Sequence, residues 1–223
     1  MKKAFTMLEL VFVIVVVGIL AAVMIPRIGS SSLREAAEQV VSHIRYTQHL
    51  AMVDDKFDTN RVDSAGNQKW FKERWQIFFS NGENTFNQWS YTIFSDRLGN
   101  STGNPDPEEV AVNPLNNTKR LTGGANGAAL IHSGDDEATH EMNLGDNYGI
   151  IGVAFSGSCS LAGSQRIAFD NLGRPLRGAF HNYTSAYHAA DRLITAQCRI
   201  TLSDNNENIV IAIEPESGYA HIL

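Results

Sequence analysis

The stretch that decides the fold stands at the start: Met1-Lys2-Lys3-Ala4, then Phe5-Thr6-Met7-Leu8-Glu9-Leu10-Val11-Phe12-Val13-Ile14-Val15-Val16-Val17-Gly18-Ile19-Leu20-Ala21-Ala22-Val23-Met24-Ile25, closed by Pro26-Arg27. From Phe5 to Ile25 there is a single charge, Glu9. A helix of that length spans about 30 Å, the thickness of a bilayer's hydrocarbon core, so residues 5–26 are expected to form a membrane-spanning helix. A secretory signal peptide fits less well, because the apolar run is too long and no Ala-x-Ala cleavage site follows. A plain membrane anchor is the other alternative. Lys2 and Lys3 predict a cytoplasmic N-terminus, with everything after Pro26 on the periplasmic side of the inner membrane.

Outside this stretch the composition is that of a globular protein. The chain has 223 residues, 43 % hydrophobic and 19 % charged, enough apolar material for a core. Its net charge of −6 argues against a protein that coats nucleic acid. Two cysteines and no Cys-x-x-Cys exclude a cysteine-ligated zinc site.

Glu9 is the functional candidate within the apolar run, since a carboxylate in such a setting is costly without a partner. A cut between Ala4 and Phe5 would create an α-amino group at Phe5. That amine and the Glu9 carboxylate of a neighbouring, axially offset helix could neutralise each other in a low-dielectric bundle.

The basic leader Lys2-Lys3-Ala4, the following Phe5-Thr6-Met7-Leu8-Glu9 and the apolar run closely resemble the N-terminus of type IV pilins and type II secretion pseudopilins. The resemblance implies that a prepilin peptidase removes residues 1–4 and N-methylates Phe5. It implies that Glu9, fifth after the cut, recruits each subunit to a growing filament, and that Pro26 is the helix-kinking proline of the family. Ala4 departs from the family, which usually has Gly before the cut. The implied partners are other pilin or pseudopilin subunits, the peptidase, an inner-membrane assembly platform with its cytoplasmic ATPase, and membrane lipid.

Residues 27–53 keep a helical period. Leu33, Ala36, Ala37, Val40, Val41, Ile44 and Leu50 share a stripe, while Arg34, Glu35, Glu38, Gln39, Ser42 and Arg45 lie mostly off it. The membrane helix is therefore expected to continue into an amphipathic half, bent at Pro26. Residues 54–223 read as a β-rich periplasmic head. Strands are expected at Phe71 to Phe79, Trp89 to Phe94, Tyr148 to Phe155, Arg166 to Phe169, Arg192 to Leu202 and Ile209 to Ile213. Turns are signalled by Ser80-Asn81-Gly82, Asn171-Leu172-Gly173, Asp204-Asn205-Asn206 and Ser217-Gly218. Residues 99–147 hold 7 Gly, 8 Asn and 3 Pro and read as a long variable loop with one or two edge strands, either a binding element or a solvated insertion. The expected fold class is α+β: a long N-terminal helix, half membrane-spanning and half amphipathic, on a β-rich head.

Trp89 to Asp96, Glu109-Val110, Arg166 to Pro175 and the closing pair Arg199 to Leu202 and Ile209 to Ile213 resemble the GspH/FimT-type minor pseudopilin head. That likeness implies a low-abundance subunit near a filament tip. Cys159 and Cys198 are expected to pair in a compartment that permits disulfides, with two buried free thiols as the alternative.

No catalytic residues, cofactor or metal are expected. Ser158 lacks the Gly-x-Ser-x-Gly elbow, and His140-Glu141 lacks the second His of a zinc-protease helix. Asp135, Asp136, Glu137, His140, Glu141 and Asp146 lack EF-hand spacing and read as a solvated acidic face. Residues 165–199 carry a net +3 from Arg166, Arg174, Arg177, Arg192 and Arg199, which would bind DNA only if the five share a face. The sequence thus predicts a pilin-like structural subunit serving protein secretion or pilus biogenesis. A DNA-binding minor pilin for uptake in transformation is the alternative, and a tethered enzyme has no residue in its favour.

Overall fold

The computed structural model describes residues 7–62, 66–97, 102–125, 131–161, 163–183, 185, 186 and 192–223, and within 21–31 the backbone alone. A 47-residue helix α1, Met7–Val53, opens it. The first four-stranded antiparallel sheet contains β1 (Trp75–Ser80), β2 (Ser90–Ser95), β6 (Arg166–Phe169) and β7 (Pro175–Arg177), in the order β2-β1-β6-β7. The second contains β5 (Gly152–Gly157), β8 (Cys198–Ser203), β9 (Asn208–Ile213) and β10 (Ala220–Ile222), in the order β10-β9-β8-β5. Between β2 and β5 run a small ribbon of β3 (Val112–Asn113) and β4 (Asn116–Arg120) and a one-turn helix α2 (Leu144–Tyr148).

The inner half of α1 lies on both sheets, touching β1 and β6 of one and β8, β9 and β10 of the other. Its contact stripe is largely the one its periodicity marks: Leu33, Ala36, Ala37, Val40, Val41 and Ile44 are buried and Leu50 is half-buried, and Ala51, which the reading did not include, is buried with them. They pack on Ile77, Phe79, Ile167 and Phe169 from the first sheet and Ile200, Ile211 and Ile213 from the second. Polar side chains on the flanks of the stripe lock the register. Gln48 Nε2 donates to Gly173 O at 2.8 Å and to Ser217 O at 2.7 Å, joining the β6–β7 and β9–β10 turns to one helix residue. Gly218 in the second turn has φ +65°, and a Cβ there would lie 2.6 Å from both Gln48 Nε2 and Gly173 O. Glycine is therefore the residue that lets turn and helix meet.

Two expectations need correction. The chain is not an α+β protein with a membrane-spanning half. It is a mixed α/β fold with about 28 % helix and 30 % strand, and among the described residues no helix is long and apolar enough to cross a membrane. The single-pass inner-membrane placement, with cytoplasmic N-terminus and periplasmic head, falls with it.

The second concerns residues 99–147, read as a long loop with one or two edge strands. The strands are there, as β3 and β4, but the described parts are packed on the head and not merely hung on it. Val110, Ala111, Leu121, Met142 and Leu144 are buried, and the segment runs along the outer side of β2. Ile93 N–H donates to Leu121 O (3.0 Å), Ala111 N–H to Ile93 O (2.9 Å) and Gly123 N–H to Tyr91 O (3.1 Å). The Gly and Asn content hides widely spaced apolar residues that together cover a sheet edge.

Candidate functional site

The sequence places its functional residues at the start of α1. Ala4 and Phe5, between which cleavage is expected, lie outside the described residues, as does the leader 1–4. Glu9 sits exposed in the first described turn. Pro26 lies within unbroken helix, and its side chain is outside the described residues.

What is described between Met7 and Leu20 is an apolar helix with no covered side. Leu10, Val11, Phe12, Val13, Ile14 and Val15 are consecutive, so at 100° per residue they point all round the axis. Each is between 51 % and 69 % exposed. Isolated exposed apolar residues need no explanation, but a contiguous apolar cylinder marks an interaction surface.

Where α1 meets the head, a polar cluster replaces the apolar stripe. Gln39 Nε2 donates to Tyr91 Oη (2.9 Å) and to Glu141 O (2.8 Å), and Tyr148 Oη donates to Gln39 Oε1 at 2.5 Å. His43 Nδ1 lies 2.6 Å from the same Tyr91 hydroxyl. The hydroxyl thus meets both Gln39 and His43, and the His43 tautomer sets which of the pair donates. Burial pushes the His43 pKa down to about 4, against a smaller upward pull from Glu141, and the ring is neutral near pH 7. Tyr91 is fully buried, and burial drives its phenol far above the usual tyrosine range.

Beside this cluster a groove of about 640 Å³ separates α1 from the β3–β4 ribbon, with Tyr46, Leu121 and Glu141 on its walls and Leu115 at the ribbon's tip. Sequence reading missed Gln39, His43, Tyr91, Glu141 and Tyr148 as a group. Only the one-turn spacing of Gln39 and His43 on the flank of the apolar stripe pointed to them.

The two cysteines are joined: Cys159 and Cys198 form a disulfide, with Cα atoms 5.0 Å apart. It ties the segment after β5 to the first residue of β8. Among the described residues no group of three His, Cys, Asp or Glu side chains is placed to hold a metal ion.

The five arginines of residues 165–199 are not gathered as a set of available cations. Arg166 is buried, donates to Gly103 O at 2.6 Å and stacks over the Phe78 ring at 4.2 Å. Arg174 pairs with Asp170 at 2.8 Å. Arg177 is half-buried and donates to Ser158 O at 2.8 Å, and Arg192 is half-buried over the Tyr183 ring at 5.3 Å. Arg199 is exposed on the other sheet and donates to Gln197 Oε1 at 2.9 Å. Compared with known proteins, the chain matches no family model, no curated protein and no solved structure.

Proposed function

We propose that this chain is a pilin-like or pseudopilin structural subunit, which assembles by packing the apolar outer half of α1 against the same helix of neighbouring copies. The observation that carries the reading is the exposure of apolar side chains on every side of Met7 to Leu20. A helix apolar all round is stable in water only when other elements enclose it. Nothing in the described head does so, because the head is already filled by the inner half of the same helix. Copies of the helix, bundled with their heads outward, provide that enclosure.

On this reading a prepilin peptidase cuts between Ala4 and Phe5 and methylates Phe5. Glu9 sets the axial register by meeting the new amine of a neighbour, and an assembly platform supplies the subunits to a filament serving secretion or pilus biogenesis. The arginines favour no second reading, since most are held by neighbours within the fold.

Cross-linking tests the packing. Val16→Cys in the outer half, treated with a short bifunctional thiol reagent in cells, is expected to give a ladder of dimers and higher species. Glu9→Leu in the same background should reduce the ladder. A chain that stays monomeric under cross-linking overturns the proposal.

A further inference from the structure

The two sheets have four outer edges, and two are dressed: that of β2 is covered by residues 110–123, and that of β7 takes Ile194 N–H on Pro175 O at 3.0 Å. The edges of β10 and β5 are only partly capped. β10 has its Ala220 carbonyl taken by Arg45 Nη2 at 2.7 Å. β5 is the one that borders a cleft between the sheets. Ser158 N–H donates to Gln197 O at 3.3 Å, so alternation down the antiparallel ladder turns Ser156, Ala154 and Gly152 towards β8. Val153 and Phe155 then direct their backbone groups outwards. The Val153 carbonyl is taken by Gln165 Nε2 at 3.2 Å, whereas among the described residues the Phe155 N–H and C=O have no partner.

Directly beside this edge a cleft of about 450 Å³ opens between the sheets, walled by Phe78, Phe79, Phe155 and Leu161. Two hydroxyls in its wall, Ser80 Oγ and Ser164 Oγ, are buried with no hydrogen-bond partner among the described residues. A partly unpaired strand edge next to a cleft that mixes phenylalanine rings with unpaired hydroxyls has the form of a sheet that lacks one strand.

We propose that the open edge of β5 takes up an extended peptide segment of a partner protein, which adds to the second sheet as a fifth strand. Its backbone pairs with the Phe155 N–H and C=O and the Val153 N–H. Since Phe155 points its ring into the cleft and successive strand residues alternate, every second side chain of the incoming segment enters the cleft. The partner is thus an extended stretch whose alternate residues combine apolar bulk for Phe78, Phe155 and Leu161 with hydrogen-bonding groups for Ser80 Oγ and Ser164 Oγ. The inference does not depend on filament assembly, because β5 lies in the head and the bundle uses the outer half of α1.

The probe is a capped heptapeptide alternating threonine with valine and phenylalanine, added to the full chain while amide hydrogen exchange is followed. Exchange at Phe155 and Val153 should slow, and protection at these two should saturate with peptide. N-methylation of the peptide residues that face β5 should weaken binding roughly tenfold or more, while methylation of the alternate set should leave it intact. Phe155→Pro, which removes an outward-facing N–H that the β5–β8 ladder does not use, should also abolish protection at Val153. Three results would overturn the proposal: unchanged exchange at millimolar peptide, equal protection by both methylated peptides, or protection of Phe155 that rises with protein concentration alone. The last would give the edge to a second copy.

Discussion

The two halves of α1 are built from similar apolar residues and have opposite surroundings. From Leu33 to Ala51 the apolar residues keep a helical period, and the buried members of the stripe are at most 7 % exposed. From Met7 to Leu20 they are interrupted only by Glu9 and Gly18, and the large ones are 39 % to 86 % exposed. A periodic stripe has its partner in its own chain, because a helix with one apolar side needs only one surface to lie on. A continuous apolar cylinder cannot be satisfied by one surface, and its partner has to come from outside the chain.

The sharpest way to break this contrast is to place the same charge in each half. Val40→Asp puts a carboxylate at a site that is 0 % exposed among Ile77, Phe79 and Ile211. It should cost about 5 kcal/mol and abolish the cooperative melting of the head. Val15→Asp, at 53 % exposure, should leave the melting temperature of the head unchanged and remove the cross-linked ladder instead. Circular dichroism melting of the two variants, set beside cross-linking, reads both outcomes. Equal loss of stability in both would mean that the outer half is covered by its own head.

Reduction of Cys159–Cys198 is next in size. The bond closes a loop with a sequence separation of 39, for which chain entropy gives about 4 kcal/mol. Cys198 Cα faces Ile213 across the ladder, and both side chains belong to the core on which the inner half of α1 rests. Reductant should therefore lower the head's melting temperature by many degrees while leaving the helical signal of the outer half in place. Thiol labelling of the denatured, unreduced chain should find no free cysteine.

The same contrast explains what could be read from the sequence. The inner stripe was legible because its period ties each residue to a face, and Arg166 to Phe169 and Ile209 to Ile213 were legible because β-branched and aromatic runs end at clear turns. The pairs β7 and β10 were not foreseen, since three residues such as Pro175-Leu176-Arg177 become a strand only through the neighbour they pair with. In residues 99–147 the edge strands were legible and the buried residues were not, for a related reason: Leu121 and Met142 are each core residues, but their isolation among Gly and Asn gives no local period. The apolar run at the N-terminus misled in the opposite sense. Its hydrophobicity is real, yet length and composition alone do not say whether lipid or protein surrounds a helix. Of the candidate site, the disulfide was accessible from cysteine arithmetic, whereas the Gln39–Tyr91–Tyr148 contacts bridge 52 and 109 positions of chain. No pattern within a window of ordinary length could reveal them.

Gln39→Leu probes the border between the halves of the contrast at smaller scale. It removes both donors and the acceptor that join Tyr91, Glu141 and Tyr148. Loss of about 1–3 kcal/mol is expected from the polar groups left unpaired. Thermal melting would show it, and an unchanged midpoint would mean that water replaces the amide.

A pH dependence tests whether the inner half is as dry as its burial implies. The His43 pKa is about 4 in the folded chain against 6.5 for the unfolded group. Between these values the unfolded chain binds the proton and the folded one does not. The contribution of His43 to stability is therefore complete above pH 6.5 and is lost as the pH falls from there towards 4, with a slope of at most about 1.4 kcal/mol per pH unit. Asp96 runs the other way. Burial raises its pKa from 3.8 to about 7, so over nearly the same window it loses stability as the pH rises. The two slopes oppose each other, and the wild-type curve alone would show little. The informative quantity is the difference between wild type and His43→Gln, in which the His43 slope is absent and that of Asp96 is unchanged. This difference should favour wild type most at pH 7 and shrink steadily towards pH 4. A difference that stays constant with pH would mean that His43 is as wet in the folded chain as in the unfolded one, and that the seam between α1 and β2 is open to water.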